Sequence, residues 1–442
     1  MRALILVILF SVIFFIFPKN SYASLNVKET VLSNGLKILT SIREDSELVS
    51  INIYVRAGSR NERKNEEGIS HFLEHLFFRG TNNSSGSEFK TELESLGGVA
   101  NAETSKDYTR YYTNVPAKNA QKALKMLIDA LQNASFNESE INQERSVVLE
   151  EYSLYKDSPA RIFYDEIFKT AFPEHPYSKP VIGTQDNIKN FKRSDFLNYR
   201  ERFYSPSNLV FVIIGNFDEK SALNTIKNAY SSKLNVSYDA PKNESKLLEK
   251  QEKKVIKKGA VRALLLGYYA PKVSDYNEIY ALDVTCFLLG IGDGSYLKKH
   301  IVEKDKNIEA IDINFQTMKD RSLIIIAVVY KNKKPDEIIE KVSHVISDIG
   351  NGNFIEADLT RAKNMLINSF IFGNETNSGT AESIGYYEVI DSFKFAKNYT
   401  SNIEKVTKQN VEKIARELFK EPICILSIEP DKKHKKDEED DD

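Results

Sequence analysis

Gly68-Ile69-Ser70-His71-Phe72-Leu73-Glu74-His75-Leu76-Phe77-Phe78 is an apolar run that carries two histidines and a glutamate. It reads as a helix destined for burial. On a helix, positions i, i+3 and i+4 share a face, so His71, Glu74 and His75 project together. Two neutral imidazoles at that spacing can hold one Zn²⁺, and a carboxylate beside them can take a proton from water on the metal. The alternative is a pair of satisfied core histidines. The chain has only six His, and burying two imidazoles and a carboxylate unpaired on one stripe would be costly, which favours the metal.

A tetrahedral catalytic zinc site needs a third protein ligand and one open position. The best source is N-E-S-E-I-N-Q-E-R-S-V-V-L-E-E-Y, residues 137–152. Asn137 is placed to N-cap this helix, with Glu140 completing a start that resembles a capping box. Ile141, Glu144, Val148, Glu151 and Tyr155 follow at steps of three and four and form one stripe. Its apolar members should face inward, which would bury Glu144 and Glu151. Glu150 falls about 100° away around the helix and faces solvent. Glutamates on helices are commonly surface residues, and spacing alone does not choose among them.

H-F-L-E-H-L-F-F-R-G-T (71–81) followed by E-R-S-V-V-L-E-E-Y (144–152) resembles the pitrilysin/insulinase family of zinc peptidases, the inverted zincins with H-x-x-E-H. The short branch, which includes mitochondrial processing peptidase and bacterial homologues, is the nearest in pattern. G-G-V-A-N-A-E-T-S-K-D-Y-T-R-Y-Y (97–112), H-P-Y-S-K-P-V-I-G-T (175–184) and Y-S-P-S-N-L-V-F-V-I-I-G-N (204–216) extend the likeness. It runs from about Val27 to about Glu429, strong in the first half and loose in the second. The resemblance implies that Glu151 is the third metal ligand beside His71 and His75, that Glu144 is a supporting acid, and that Glu74 is the catalytic base. It also implies that Ala100, Asn101 and Ala102 pair with an extended peptide substrate.

The chain has 442 residues, which makes two domains the expectation. With 41% hydrophobic and 28% charged residues and a net charge of −2, it reads as an ordinary globular protein. No global field recommends a nucleic-acid partner. The first residues have the parts of a secretory signal: Arg2, an apolar run Ala3–Phe17, and Ser21-Tyr22-Ala23 as a cleavage site. The apolar run falls short of the roughly 20 residues that span a bilayer. Export is therefore expected, to the periplasm if the source is bacterial, with an uncleaved N-terminal anchor as the alternative and the only route to a membrane. Cys286 and Cys424 lie in apolar surroundings and read as small buried hydrophobes, although two Cys in an exported protein could pair.

The segmentation that follows is a signal at 1–23, a metal-binding domain at 24–233, a polar linker at 234–257, a second domain at 258–430 and a charged tail at 431–442. Asn34-Gly35 marks a turn between two strands. Phe354-Ile355-Glu356 with A-D-L-T-R-A-K-N-M-L repeats the placing of Phe136-Asn137-Glu138 before its helix, so the second half is expected to repeat the first. The fold class is α+β: two structurally similar domains, each a mainly antiparallel sheet backed by helices. By resemblance, the pair is half of a clam-like peptidase chamber.

Residues 97–104 open with Gly97-Gly98 and carry Ala100 and Ala102, which leave the backbone approachable. An exposed strand edge of this kind can hold an extended peptide; an inner strand packed beneath a helix is the other reading. One departure from the family pattern matters. Complete members carry R-E-K-R-G-L-A-Y after a Gly-rich turn, and its Arg and Tyr help hold substrate. Here Val302 and Glu309 stand at those places, and Arg262 and Tyr269, at the same spacing, fall on opposite faces of a strand. The expectation is a zinc endopeptidase acting on extended or unfolded peptides, one Zn²⁺ per chain, in a heterodimer with a homologous subunit that carries the Arg/Tyr pair. A homodimer is less favoured. The alternative is a noncatalytic structural or interaction subunit of a peptidase-like complex.

Overall fold

The computed structural model describes residues 25–233, 252–259 and 261–430. The signal (1–23), most of the linker and the charged tail lie outside the described residues. Among the described residues, no helix is long and apolar enough to cross a membrane.

The first half builds a six-stranded sheet from β1 (Lys28–Val31), β2 (Lys37–Ile42), β3 (Leu48–Val55), β4 (Val99–Thr104), β5 (Thr109–Pro116) and β6 (Leu209–Gly215). The order is β1-β2-β6-β3-β5-β4, antiparallel throughout except between β2 and β6. The second half builds a five-stranded sheet from β7 (Glu252–Gly259), β8 (Arg262–Tyr269), β9 (Ile308–Phe315), β10 (Leu323–Tyr330) and β11 (Cys424–Pro430). Its order is β7-β11-β8-β10-β9, parallel only between β7 and β11. With β1 set aside, the two orders coincide strand for strand, including the position of the single parallel pair. The expected α+β repeat is therefore present in the hydrogen-bonding topology.

The linker reading needs one correction. It extended to residue 257, but β7 begins at Glu252, so the second domain starts before residue 258. E-K-K-V-I-K-K-G shows no apolar alternation because β7 is an edge strand, where charge, lysine above all, is tolerated and guards against further pairing.

Helices follow the same repeat. In the first half α1 (Ile69–Phe77) and α2 (Gly86–Ser95) lie between β3 and β4. α3 (Ala120–Asn133), α4 (Glu138–Lys156), α5 (Pro159–Ala171), α6 (Gln185–Asn190) and α7 (Arg193–Phe203) lead to β6, and α8 (Glu219–Tyr230) follows it. Asp218 caps α8, its side chain accepting the Ser221 N–H. In the second half α9 (Tyr276–Gly290) stands where α1 stood, and α10 (Pro335–Gly350) and α11 (Glu356–Gly373) where α3 and α4 stood. Apart from α5, each set packs on one face of its own sheet around a separate apolar core.

The opposite faces are covered by exchange. α12 (Asn377–Ile390), from the second half, lies on the first sheet, where Ala381, Ile384, Val389 and Ile390 pack against Leu39, Tyr54, Val210, Val212 and Ile214. Reciprocally, Ile167, Phe168 and Ala171 of α5 pack against Leu323, Cys424 and Leu426 of the second sheet. Polar contacts fasten both seams. Buried Glu388 of α12 receives Lys37 at 2.7 Å and Arg56 at 2.6 Å from the first sheet. At the other seam, Asp320 meets Arg60 at 2.5 Å and His175 at 3.1 Å, while Asp107 accepts from the Tyr177 hydroxyl at 2.8 Å and from the Lys319 amide at 3.1 Å. The H-P-Y-S segment thus serves the joint between the halves. Cys286 and Cys424 are both buried and form no disulfide with each other.

α12 can approach the first sheet closely because Gly385 has no side chain. A Cβ built there would stand 2.0 Å from the Tyr54 ring, and Tyr54 is fully buried. Gly385→Ala should therefore destabilise the protein by about 1–3 kcal/mol, as overpacking does. An unchanged thermal midpoint would show that the seam yields without cost.

Candidate metal centre

α1 starts at Gly68, whose φ of +97° lies in the left-handed region open to glycine. The first turn has no capping side chain of its own. Instead, buried Glu62 accepts the amides of Gly68 at 2.8 Å and Ser70 at 2.9 Å, and so fixes the end of the helix nearest His71. Burial pushes the Glu62 carboxyl up to about 8, against the pull of those hydrogen bonds. Ile69, Phe72, Leu73 and Leu76 anchor the helix in the core. This leaves His71, Glu74 and His75 on the opposite, partly open face.

α4 crosses beside α1, held by Ile141 and Val148 in the core. Its stripe is the one expected: Glu144 is buried, Glu151 is half-buried and Glu150 is exposed. The predicted cap is only partly as read. Asn137 occupies the N-cap position without a side-chain bond to the helix, and Glu140 instead accepts the Ser135 hydroxyl at 3.0 Å.

The side chains converge. Glu151 Oε2 lies 3.5 Å from His71 Nε2 and 3.4 Å from His75 Nε2. One donor atom from each of these three residues falls within 4.8 Å of the others. No other group of three metal-binding side chains is so gathered among the described residues, and α9 offers no histidine. Burial, with His75 beside it, pushes the His71 imidazole down to about 4, which keeps it neutral and able to donate to a metal. The hydrogen bond from His75 holds the Glu151 carboxyl below its usual range. Two neutral nitrogens and one carboxylate oxygen form the donor set that zinc takes in open catalytic sites, so these residues fit that ion.

Glu144 lies behind His75. Its Oε2 lies 3.1 Å from His75 Nδ1, which fixes the ring so that Nε2 faces Glu151. Its other oxygen is met by the Arg79 guanidinium. Glu74 sits on the same face but turns away from the donor cluster, with Oε2 accepting the Thr104 hydroxyl at 2.6 Å. Burial raises the Glu74 carboxyl above its usual range. A cleft of about 570 Å³ opens here, lined by Glu74, His75, Arg79, Asn101, Ala102 and Glu144 among others.

β4 is an edge strand, paired only with β5, so the inner-strand alternative does not hold. Ala100 and Ala102 turn toward the core beneath α1, while Asn101 is exposed. The Ala102 amide is occupied within the strand, donating to Asn101 Oδ1 at 2.9 Å.

Val302 and Glu309 do not share a helix. Val302 ends a short helical turn (Lys298–Val302), and Glu309 belongs to β9, where it meets Lys331 at 3.0 Å. Arg262 is engaged by Glu429 and by the Lys331 carbonyl, and the Tyr269 hydroxyl donates to the Ala171 carbonyl. Neither pair forms a clamp.

Three residues of the site carried no assigned role in the sequence reading: Glu62, Arg79 and Thr104. Arg79 had a signal, since it follows His75 by four. Thr104 had one too, in phase with Ala100 and Ala102 at a period of two.

The chain is similar to known proteins along most of its length. Residues 37–185, which hold α1 and α4, match the family described as insulinase, peptidase family M16, and residues 190–366 match the peptidase M16 inactive domain. An uncharacterized zinc protease of Rickettsia bellii is 32% identical over 63% of this chain and 67% of its own length. A probable mitochondrial-processing peptidase subunit beta of Arabidopsis thaliana is 27% identical over 91% of this chain and 78% of its own. The crystal structure of a protease from Helicobacter pylori superposes with a TM-score of 0.85 at 25% identity, covering 92% of this chain and 100% of that one. A first half that gathers three candidate metal donors, repeated by a second that gathers no such group among the described residues, is how the chain carries those two matches: it belongs to the insulinase family, peptidase family M16.

Proposed function

We propose that this chain is a zinc-dependent endopeptidase that hydrolyses extended or unfolded peptides, with one Zn²⁺ held by His71, His75 and Glu151. The observation that carries the reading is the convergence of those three donor groups with a separately held carboxylate, Glu74, on the same helical face. When bound, the ion supplies Lewis-acid chemistry, acidifying water and polarising a carbonyl.

The residues do the rest. Glu74 accepts the proton of the attacking water and later gives it to the leaving amine. Glu144, steadied by Arg79, keeps His75 in the tautomer and orientation that leave Nε2 free to donate. The open edge of β4 at Ala100, Asn101 and Ala102 pairs with the peptide main chain, which selects segments whose backbone is not already paired. A folded protein offers few such segments.

Two further parts of the reading follow from what the chain lacks and how it begins. With no Arg/Tyr clamp formed by Val302 and Glu309 or by Arg262 and Tyr269, the substrate site is completed by a homologous subunit that carries the pair, the two chains enclosing a chamber. The N-terminal signal sends the protein out of the cytoplasm, to the periplasm in a bacterium.

The test is to purify the chain from Ser24 onward, measure its zinc, and assay unfolded casein and a quenched fluorescent peptide, alone and with the co-purifying subunit. Chelator-sensitive cleavage that appears or rises sharply with the subunit is expected. Efficient cleavage by the chain alone, as a stable homodimer, would refute the need for a partner. No cleavage in either state would leave the noncatalytic reading.

A further inference from the structure

We infer that Thr104 is a positioning residue for Glu74, tying the orientation of the catalytic carboxylate to the strand that receives the peptide. The inference rests on the endopeptidase reading above and adds a role for a residue at the far end of the binding strand.

Thr104 ends β4, in the register that places Ala100 and Ala102 beneath α1. The small alanines let the helix lie close, and at the third position of that row the side chain reaches α1. Its hydroxyl donates to Glu74 Oε2 at 2.6 Å. A carboxylate on a two-carbon stem has several rotamers, and none of the metal donors holds this one. Occupying Oε2 selects an orientation and leaves Oε1 to accept the proton. Threonine suits the task because its branched Cβ restricts χ1, so the donor itself is stiff.

The strand end is also rigid. Ser105 donates its amide to the Tyr108 carbonyl, and the Ser105 and Lys106 carbonyls accept the amides of Ser59 and Arg60. Gly58 packs so closely there that a Cβ would meet the Ser105 carbonyl at 2.3 Å. A peptide added along the edge of β4 would therefore be registered against the same fixed hairpin that holds the base. The peptide and the base would then both be referred to one fixed strand, the base through the Thr104 hydroxyl that holds its carboxylate.

The experiment compares Thr104→Val, Thr104→Ser and Glu74→Gln, each assayed with the partner subunit if the unmodified chain needs it. Zinc per chain, thermal midpoint and the affinity for an uncleaved product peptide are measured alongside kcat and KM. Thr104→Val keeps the shape and removes the donor. It should lower kcat by about tenfold or more, the loss expected for one hydrogen bond to a charged group. Zinc content, peptide affinity and KM should stay within about twofold, and Thr104→Ser should recover most of the lost rate.

An unchanged kcat in Thr104→Val would overturn the inference. So would a raised KM with kcat intact, which would make Thr104 part of the peptide strand only, or loss of zinc, which would make it a prop for the metal helix. Failure of the parent reading looks different: Glu74→Gln would then turn over as fast as the unmodified protein.

Discussion

Glu74→Gln is expected to keep its zinc and to lose peptide hydrolysis by about 10²-fold or more, the usual contribution of a general base. The amide is nearly the same size and can still accept from Thr104, so the fold around α1 has no reason to change. What it cannot do is take a proton. Glu74 is not among the three converging donors, because its Oε2 is turned to Thr104 at 2.6 Å. Metal content should therefore be independent of this substitution. Full turnover by the variant would mean that the base lies elsewhere, and loss of zinc would mean that Glu74 is a ligand.

Glu151→Gln should have the opposite signature, losing zinc and activity together. Glu151 Oε2 stands between both imidazole nitrogens, at 3.5 and 3.4 Å, and removing its charge leaves two neutral donors for a divalent cation. The affinity loss should exceed the roughly 10- to 100-fold cost that substituting a supporting residue such as Glu144 carries. Glu150→Gln is the internal control, since its side chain points to solvent and should leave zinc untouched. Metal analysis after dialysis separates the two variants. Stoichiometric zinc in Glu151→Gln, or its loss in Glu150→Gln, would move the third ligand.

Much of this centre is legible in the sequence because helices carry phase. Ile141 and Val148 declare which side of α4 is buried, and the 3.6-residue period then places Glu144 and Glu151 inward and Glu150 outward. The same arithmetic brings His71, Glu74 and His75 onto one face. The choice among the glutamates needed the family resemblance, since phase says which residues share a side and not what they touch.

Other features were not legible, for reasons that differ. β7 shows no apolar alternation in its sequence, so E-K-K-V-I-K-K-G reads as linker. Asn137 has the right residue type for a cap, yet its side chain is not recruited. Val302 and Glu309 do not form a pair because the chain leaves its short helical turn after Val302 and enters β9, a change that an ungapped match to the family's segment does not register. Glu62 caps a helix that begins several residues later, a contact that needs a loop conformation rather than a period.

The exchanged helices have a consequence for how the molecule comes into being. The outer face of the first sheet waits for a helix that begins at Asn377, and Tyr54 finds its hydroxyl partner, the Glu382 carbonyl, 328 residues further along the chain. A nascent chain that has made all six strands of that sheet still shows Leu39, Val210, Val212 and Ile214 to water, so neither half can reach its finished state while the other is unmade. Such distant pairings make folding slow. Under the export proposed above, that slowness would keep the chain threadable, and final closure would fall to the compartment where the work is done.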